Sequence, residues 1–230
     1  MLGVYDYTVI LTYLSVVSAC LGIFVTLSGT GHPYLGTFFL LFCGLCDSFD
    51  GRVARSKKNR SEYAKKFGIQ IDSLSDLLAF GVLPICIGDV MLRVSPTWAE
   101  IPRLTRPTQI GDVVTGVFWI IMLCYTLAAL IRLAHFNVSE EIRTATEGGT
   151  RKVYEGLPVT NAALIFPTVM LLQYLTKADI TPVYFIAMFV TGLLFVSHVP
   201  VPKPGLKGIL IMVGVGAVEF ILLVVGWLVN

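Results

Sequence analysis

Long apolar runs separated by short polar intervals set the pattern of this chain. A bilayer core is crossed by roughly 20 apolar residues in a helix. On that measure the runs at 8–28, 34–55, 69–92, 113–137, 158–176, 181–198 and 206–228 each predict a spanning helix. The fold class expected is all-α, a polytopic membrane helix bundle of six core transmembrane helices plus an additional C-terminal one. A membrane domain over 1–205 is then followed by the extra helix over 206–230, and no linker or shift in composition marks off a second domain.

Composition agrees with the pattern. Of 230 residues 55% are hydrophobic and only 14% charged, and the mean hydropathy is +0.78, well outside the range of soluble domains. The first apolar run is long enough to span and lacks a basic leader, so no cleavable signal is expected. A net charge of +2 is too small to argue for nucleic acid. The distribution of charge says more. Lys57, Lys58, Arg60, Lys65 and Lys66 crowd the interval 56–67, with Arg52 and Arg55 just before it. Positive charge marks cytoplasmic loops. Alternation then brings Arg143, Arg151, Lys152, Lys203 and Lys207 to the same side and sends Arg93, Arg103, Arg106 and Lys177 to the other. Cys43-Gly-Leu-Cys46 has redox spacing but no strand-then-helix context, so all five cysteines read as packing residues. The three histidines show no metal-binding spacing.

Against this background the carboxylates stand out. Asp47-x-x-Asp50-Gly51-x-x-Ala54-Arg55 is followed by Gly68-x-x-x-Asp72-x-x-x-Asp76. An ionised Asp within a bilayer costs roughly 2.5–3.5 kcal/mol on insertion scales, so four together call for compensation. Positions 47, 50 and 54 share one helical face, as do 68, 72 and 76. Two facing helices would thus aim four carboxylates at a common point. All-oxygen donors of this kind suit Mg²⁺ or Mn²⁺. Gly51 leaves the backbone open to a ligand, Ala54 keeps the next turn clear, and Gly68 does for the third helix what Gly51 does for the second. Arg55 offers a fork matched to phosphate. The set is one for phosphoryl transfer.

These residues resemble the signature of the CDP-alcohol phosphotransferase family, D-x2-D-G-x2-A-R-x8-9-G-x3-D-x3-D, at every fixed position. The spacer departs from it, with twelve residues at 56–67 in place of eight or nine. Three segments are similar to the phosphatidylserine synthase branch: Asp72-Ser-Leu-Ser-Asp76-Leu-Leu-Ala-Phe-Gly81-Val-Leu-Pro84, Arg132-Leu-Ala-His-Phe-Asn137-Val and Glu155-Gly-Leu-Pro158-Val. His135 stands where an aromatic is expected. The resemblance covers most of residues 8–205. It implies a homodimeric membrane enzyme that moves a phosphatidyl group from CDP-diacylglycerol to L-serine and releases CMP, while the basic interval predicts that the site faces the cytoplasm. By position the resemblance implies two metal ions held by Asp47, Asp50, Asp72 and Asp76, with Asp76 also the general base. Gly51, Ala54, Arg55 and Gly68 would line the CDP-lipid pocket.

The acceptor is less sharply marked. Arg132 and Asn137 are candidate serine contacts, but Arg132 could equally snorkel to lipid phosphate and Asn137 cap a helix. Glu155 and Thr160 could line the site or serve only the start of the fifth helix. The same chemistry with glycerol 3-phosphate or an inositol phosphate stays open. A divalent-cation transporter is the rival from another class. It predicts polar groups at several depths, whereas here the four Asp gather at one face beside Arg55. Paired HxK motifs, the other route to phosphatidylserine, are absent. Asp89 and Glu219 carry no assigned function.

Overall fold

A computed structural model describes residues 2–28, 32–98, 109–146 and 153–229. One 3₁₀ turn, Tyr7–Val9, leads into α1 (Ile10–Leu27), α2 (Pro33–Ser56) and α3 (Glu62–Asp76). A π-helical stretch, Leu77–Val82, joins α3 to α4 (Leu83–Val94) in one continuous rod. Then come α5 (Gln109–Thr146), α6 (Ala162–Thr176), α7 (Thr181–Phe195) and α8 (Leu206–Val229). The all-α expectation holds, and the rods follow the apolar runs. Four helical stretches among the described residues are long and apolar enough to cross a membrane: Tyr7–Leu27, Glu62–Val94, Val113–Thr146 and Leu206–Gly226. Val159–Gln173 and Thr181–Phe195 are shorter, and α2 carries Asp47, Asp50, Arg52 and Arg55 in its second half. Length and hydropathy alone thus mark four candidate crossings among the described residues and leave the expected count of six plus one unconfirmed.

Two boundaries move for local reasons. The basic interval 56–67 is not all loop, because Ser61 accepts a hydrogen bond from the Ala64 amide at 3.2 Å and caps α3, with Glu62 in its first turn. At the other site α5 continues past 137 to Thr146, where the Arg143 guanidinium pairs with Glu140 at 2.6 Å. Asn137 thus lies inside a helix and does not cap one. Arg103, Arg106, Arg151 and Lys152, used above to assign sides, lie outside the described residues.

Sequence patterning missed a short ribbon. β1 (Val153–Glu155) pairs antiparallel with β2 (Pro200–Pro202), Tyr154 opposite Val201. Proline is tolerated in such an edge. Gly156 follows β1 at φ +81°, and its N–H donates to Val199 at 2.8 Å. A Cβ there would lie 2.6 Å from the Ser197 carbonyl oxygen, so only glycine fits.

Small residues set the helix spacing, as expected where lipid supplies little drive for association. A Cβ on Gly44 of α2 would meet that of Ala163 of α6 at 2.5 Å. The π-helical joint is held by hydroxyls. Pro84 lacks the N–H that would reach the Phe80 carbonyl four residues back, and Tyr125 of α5 donates to that carbonyl at 2.6 Å. Thr126 donates to Gly81 at 3.1 Å and Tyr184 of α7 to Pro84 at 2.8 Å. Asp89 pairs with Arg93 at 3.1 Å near the far end of α4. Glu219 is buried on α8 and accepts a hydrogen bond from Thr168 of α6.

Tyr125→Phe leaves the buried Phe80 carbonyl without its donor and is expected to cost about 1–3 kcal/mol. Thermal unfolding of the detergent-solubilised protein checks this through a lowered midpoint; an unchanged midpoint would show that the carbonyl finds another donor.

Candidate active site

The second half of α2 carries Asp47 and Asp50, and the last turns of α3 carry Asp72 and Asp76. One carboxylate oxygen from each of Asp47, Asp50 and Asp72 lies within 4.8 Å of the others. Asp76 is buried one turn further, about 6 Å along the axis, where the π-helical stretch begins. It stands outside the three-carboxylate group. None of the three is ion-paired to Lys or Arg among the described residues. Converging oxygens with no cation among them fit a hard divalent ion such as Mg²⁺ or Mn²⁺.

A cavity of about 920 Å³ opens beside the cluster. Its polar end is lined by Asp47, Asp50, Gly51, Arg52 and Arg55 of α2, by Thr160 and Asn161, and by Tyr154 and Lys203 of the ribbon and its exit. Its other end is apolar and runs between α2, α6 and α8. A carboxylate cluster and three cations beside an apolar channel match the chemistry of a nucleotide joined to a lipid.

Similarity to known proteins agrees with this geometry. The sequence profile named CDP-alcohol phosphatidyltransferase matches residues 8–215. The chain belongs to the CDP-alcohol phosphatidyltransferase family. With its apolar helices, it is an integral membrane protein. It is 34% identical to the CDP-diacylglycerol–serine O-phosphatidyltransferase of Saccharomyces cerevisiae over 143 residues, 61% of this chain and 43% of that protein. The enzyme of the same name from Mycobacterium bovis is 25% identical over 194 residues, 83% of this chain and 59% of that one. The archaetidylserine synthase of Methanothermobacter thermautotrophicus is 27% identical over 194 residues, covering 84% and 68%. The chain thus spans about half the length of the first two relatives.

Within this member of the CDP-alcohol phosphatidyltransferase family, the expected pocket residues divide. Gly51 and Arg55 line the cavity, and a Cβ on Gly51 would lie 3.1 Å from the Arg55 guanidinium, so the glycine gives the arginine room to fold along α2. Ala54 and Gly68 are not among the lining residues. Gly68 instead accommodates Arg60, whose guanidinium would sit 2.7 Å from a Cβ there and which donates to the Ala64 carbonyl at 2.8 Å.

The two candidate acceptor contacts also part ways. Buried Arg132 donates to the carbonyls of Leu157 at 3.0 Å and Gly156 at 3.3 Å, holding the turn that leads to Thr160 and Asn161. Asn137 donates to the Ser73 hydroxyl at 2.7 Å, beside Asp72 and one turn before Asp76. Thr160 lines the cavity, and Glu155 ends β1. Arg52, Tyr154 and Lys203 escaped sequence reasoning. Arg52 is readable in hindsight, since it shares the turn of Gly51. Lys203 is not, because only the ribbon brings it to Tyr154, whose ring centroid lies 5.6 Å from the Lys203 amine.

Asp50→Asn is expected to weaken Mn²⁺ binding by more than the ~10–100-fold that loss of an outer-shell partner costs. Titration calorimetry on the folded variant decides it; parent-like affinity would place the ion elsewhere.

Proposed function

We propose that the chain transfers a phosphatidyl group from CDP-diacylglycerol to the hydroxyl of L-serine, giving phosphatidylserine and CMP. The observation that carries the reading is the convergence of Asp47, Asp50 and Asp72 at the polar end of a lipid-sized cavity. Serine is the acceptor proposed because the names of the three relatives all carry it, while the lipid named for the third differs from that of the first two. The domain division at 205, a homodimer and a cytoplasmic site belong to the same proposal, the last on the Lys and Arg bias around 52–66.

Asp47, Asp50, Asp72 and Asp76 would hold a pair of Mg²⁺ or Mn²⁺ ions. When bound, the ions neutralise the diphosphate and stabilise the attacking and leaving oxygens of an in-line displacement. The rest is the work of side chains. Arg55 orients a phosphate oxygen of the CDP-lipid, and Gly51 admits the headgroup close to backbone. The serine hydroxyl attacks the lipid-bearing phosphorus. A new O–P bond forms as the bond to CMP breaks, the hydroxyl proton passes to Asp76, and CMP leaves with the bonding electrons. Asn137 meets the acceptor through its place beside Ser73, and Arg132 acts on serine indirectly by fixing the Gly156–Pro158 turn. Lys203, at the cavity rim with its amine over the Tyr154 ring, is a cation suited to the serine carboxylate.

Purified protein with CDP-diacylglycerol and Mn²⁺ is expected to release CMP with serine and not with glycerol 3-phosphate or inositol phosphate. Asp76→Asn is expected to lower that release by about 10²–10⁴-fold, the usual worth of a general base. Release with another alcohol alone would sink the serine assignment, and release undiminished in the variant would sink the role of Asp76.

A further inference from the structure

We propose that α8 is the outer wall of a groove that receives the acyl part of the lipid substrate, and that its Gly216 sets the chain length accepted. The inference rests on the CDP-lipid reading above but assigns a helix and a residue that the family signature does not contain.

The apolar part of the cavity is bounded by Phe38 and Leu45 of α2, Leu164 of α6, and Met212, Gly216 and Phe220 of α8. These and the other α8 lining residues recur at three- and four-residue steps and so form one face. Ile211, Val218 and Leu222, off that face, are exposed. Only 11% of the most apolar window of α8 is buried, so the helix stands against the bundle along a narrow line instead of packing as core. Two contacts fix its position. Buried Glu219 accepts a hydrogen bond from Thr168 of α6, and the Phe220 ring meets that of Phe38 edge-on at 5.2 Å between centroids. The Phe38–Phe220 pair lies at the end of the groove remote from the carboxylates, with Phe220 partly exposed.

Dimensions and charge select the occupant. Phe38 and Asp50 are twelve residues apart on α2, a span of about 18 Å at ~1.5 Å per residue, close to one leaflet of a ~30 Å hydrocarbon core. Apolar side chains of α2, α6 and α8 line the space over that length, as extended hydrocarbon requires. Arg52, Arg55 and Lys203 at the open polar end complement a phosphate-bearing headgroup. The groove is thus shaped for an amphiphile with an anionic head beside the Asp cluster and its chains against α8.

Gly216 is the narrow point. A Cβ there would reach Leu164 at 3.4 Å and Leu41 at 3.7 Å, ordinary contact, but anything larger enters the groove. Gly214, two residues earlier, has nothing within 4 Å and is not a lining residue, which makes it a matched control.

The test compares Gly216→Phe, Gly214→Phe and the parent with dipalmitoyl and dihexanoyl CDP-glycerolipids. It scores KM with serine and, independently of turnover, retention of each radiolabelled lipid by immobilised protein. Gly216→Phe is expected to raise the long-to-short ratio of KM roughly ten-fold, the factor for keeping about two methylenes of chain in water. Gly214→Phe is expected to keep the parent ratio. Phe220→Ala, which removes a ring from the end remote from the carboxylates, is expected to shift preference towards longer chains. A parent-like ratio in folded Gly216→Phe, or equal losses in both glycine variants, would overturn the role of α8. A parent with no turnover on any CDP-lipid would overturn the enzymatic reading instead, and the retention ratio would still decide the groove.

Discussion

Mutual repulsion among Asp47, Asp50 and Asp72 is the force that the rest of this bundle has to withstand. Three carboxylates with oxygens within 4.8 Å of one another, and no ion-paired Lys or Arg among the described residues, do not stay together unless rigid elements hold them. Here α2 supplies two and α3 the third, and both helices are held through close contacts. Gly44 lets α2 approach α6, and Ser75, one residue before Asp76, donates its hydroxyl to the Thr12 carbonyl of α1 at 3.4 Å. The cluster is preorganised by packing, so the binding of a cation relieves a strain that the fold already bears.

That rigidity coexists with a broken backbone. Directly after Asp76 the helix widens to π geometry and then meets Pro84, which removes an N–H the ladder would need. Three hydroxyls, from Tyr125, Thr126 and Tyr184, take up the carbonyls of Phe80, Gly81 and Pro84. The irregular turn is tolerated because it lies inside protein and its polar groups are met. Asp72 and Asp76 both precede it in regular α3, so its effect is on the course of the rod beyond Asp76.

Much of this was legible in the sequence, and the rest was hidden for definite reasons. The helical runs and the approach of Asp47, Asp50 and Asp72 follow from periodicities of one helix each. The start of α3 at Glu62 lay masked under a run of Lys and Arg that looked like loop, although Ser61 is a recognisable cap. Ala54 and Gly68 sit at the expected spacing but are not among the cavity's lining residues, since a small residue admits whichever neighbour is at hand, and for Gly68 that neighbour is Arg60. Arg132 read as a substrate contact because its partners are backbone carbonyls some 25 residues on, which leave no trace in side-chain pattern. Lys203 depends on the pairing of two three-residue strands, too short for any alternation to betray.

The same ribbon has a consequence for how the bundle is assembled. β1 and β2 pair at the two ends of the stretch that contains α6 and α7, so the chain departs and returns at one point. Closing such a loop costs little more for a long excursion than for a short one, and the Gly156 and Arg132 hydrogen bonds fasten it at the base. A hairpin clasped in this way behaves as one unit during insertion into a bilayer. The wall that α6 gives to the cavity therefore arrives together with α7, and neither helix has to find the bundle alone.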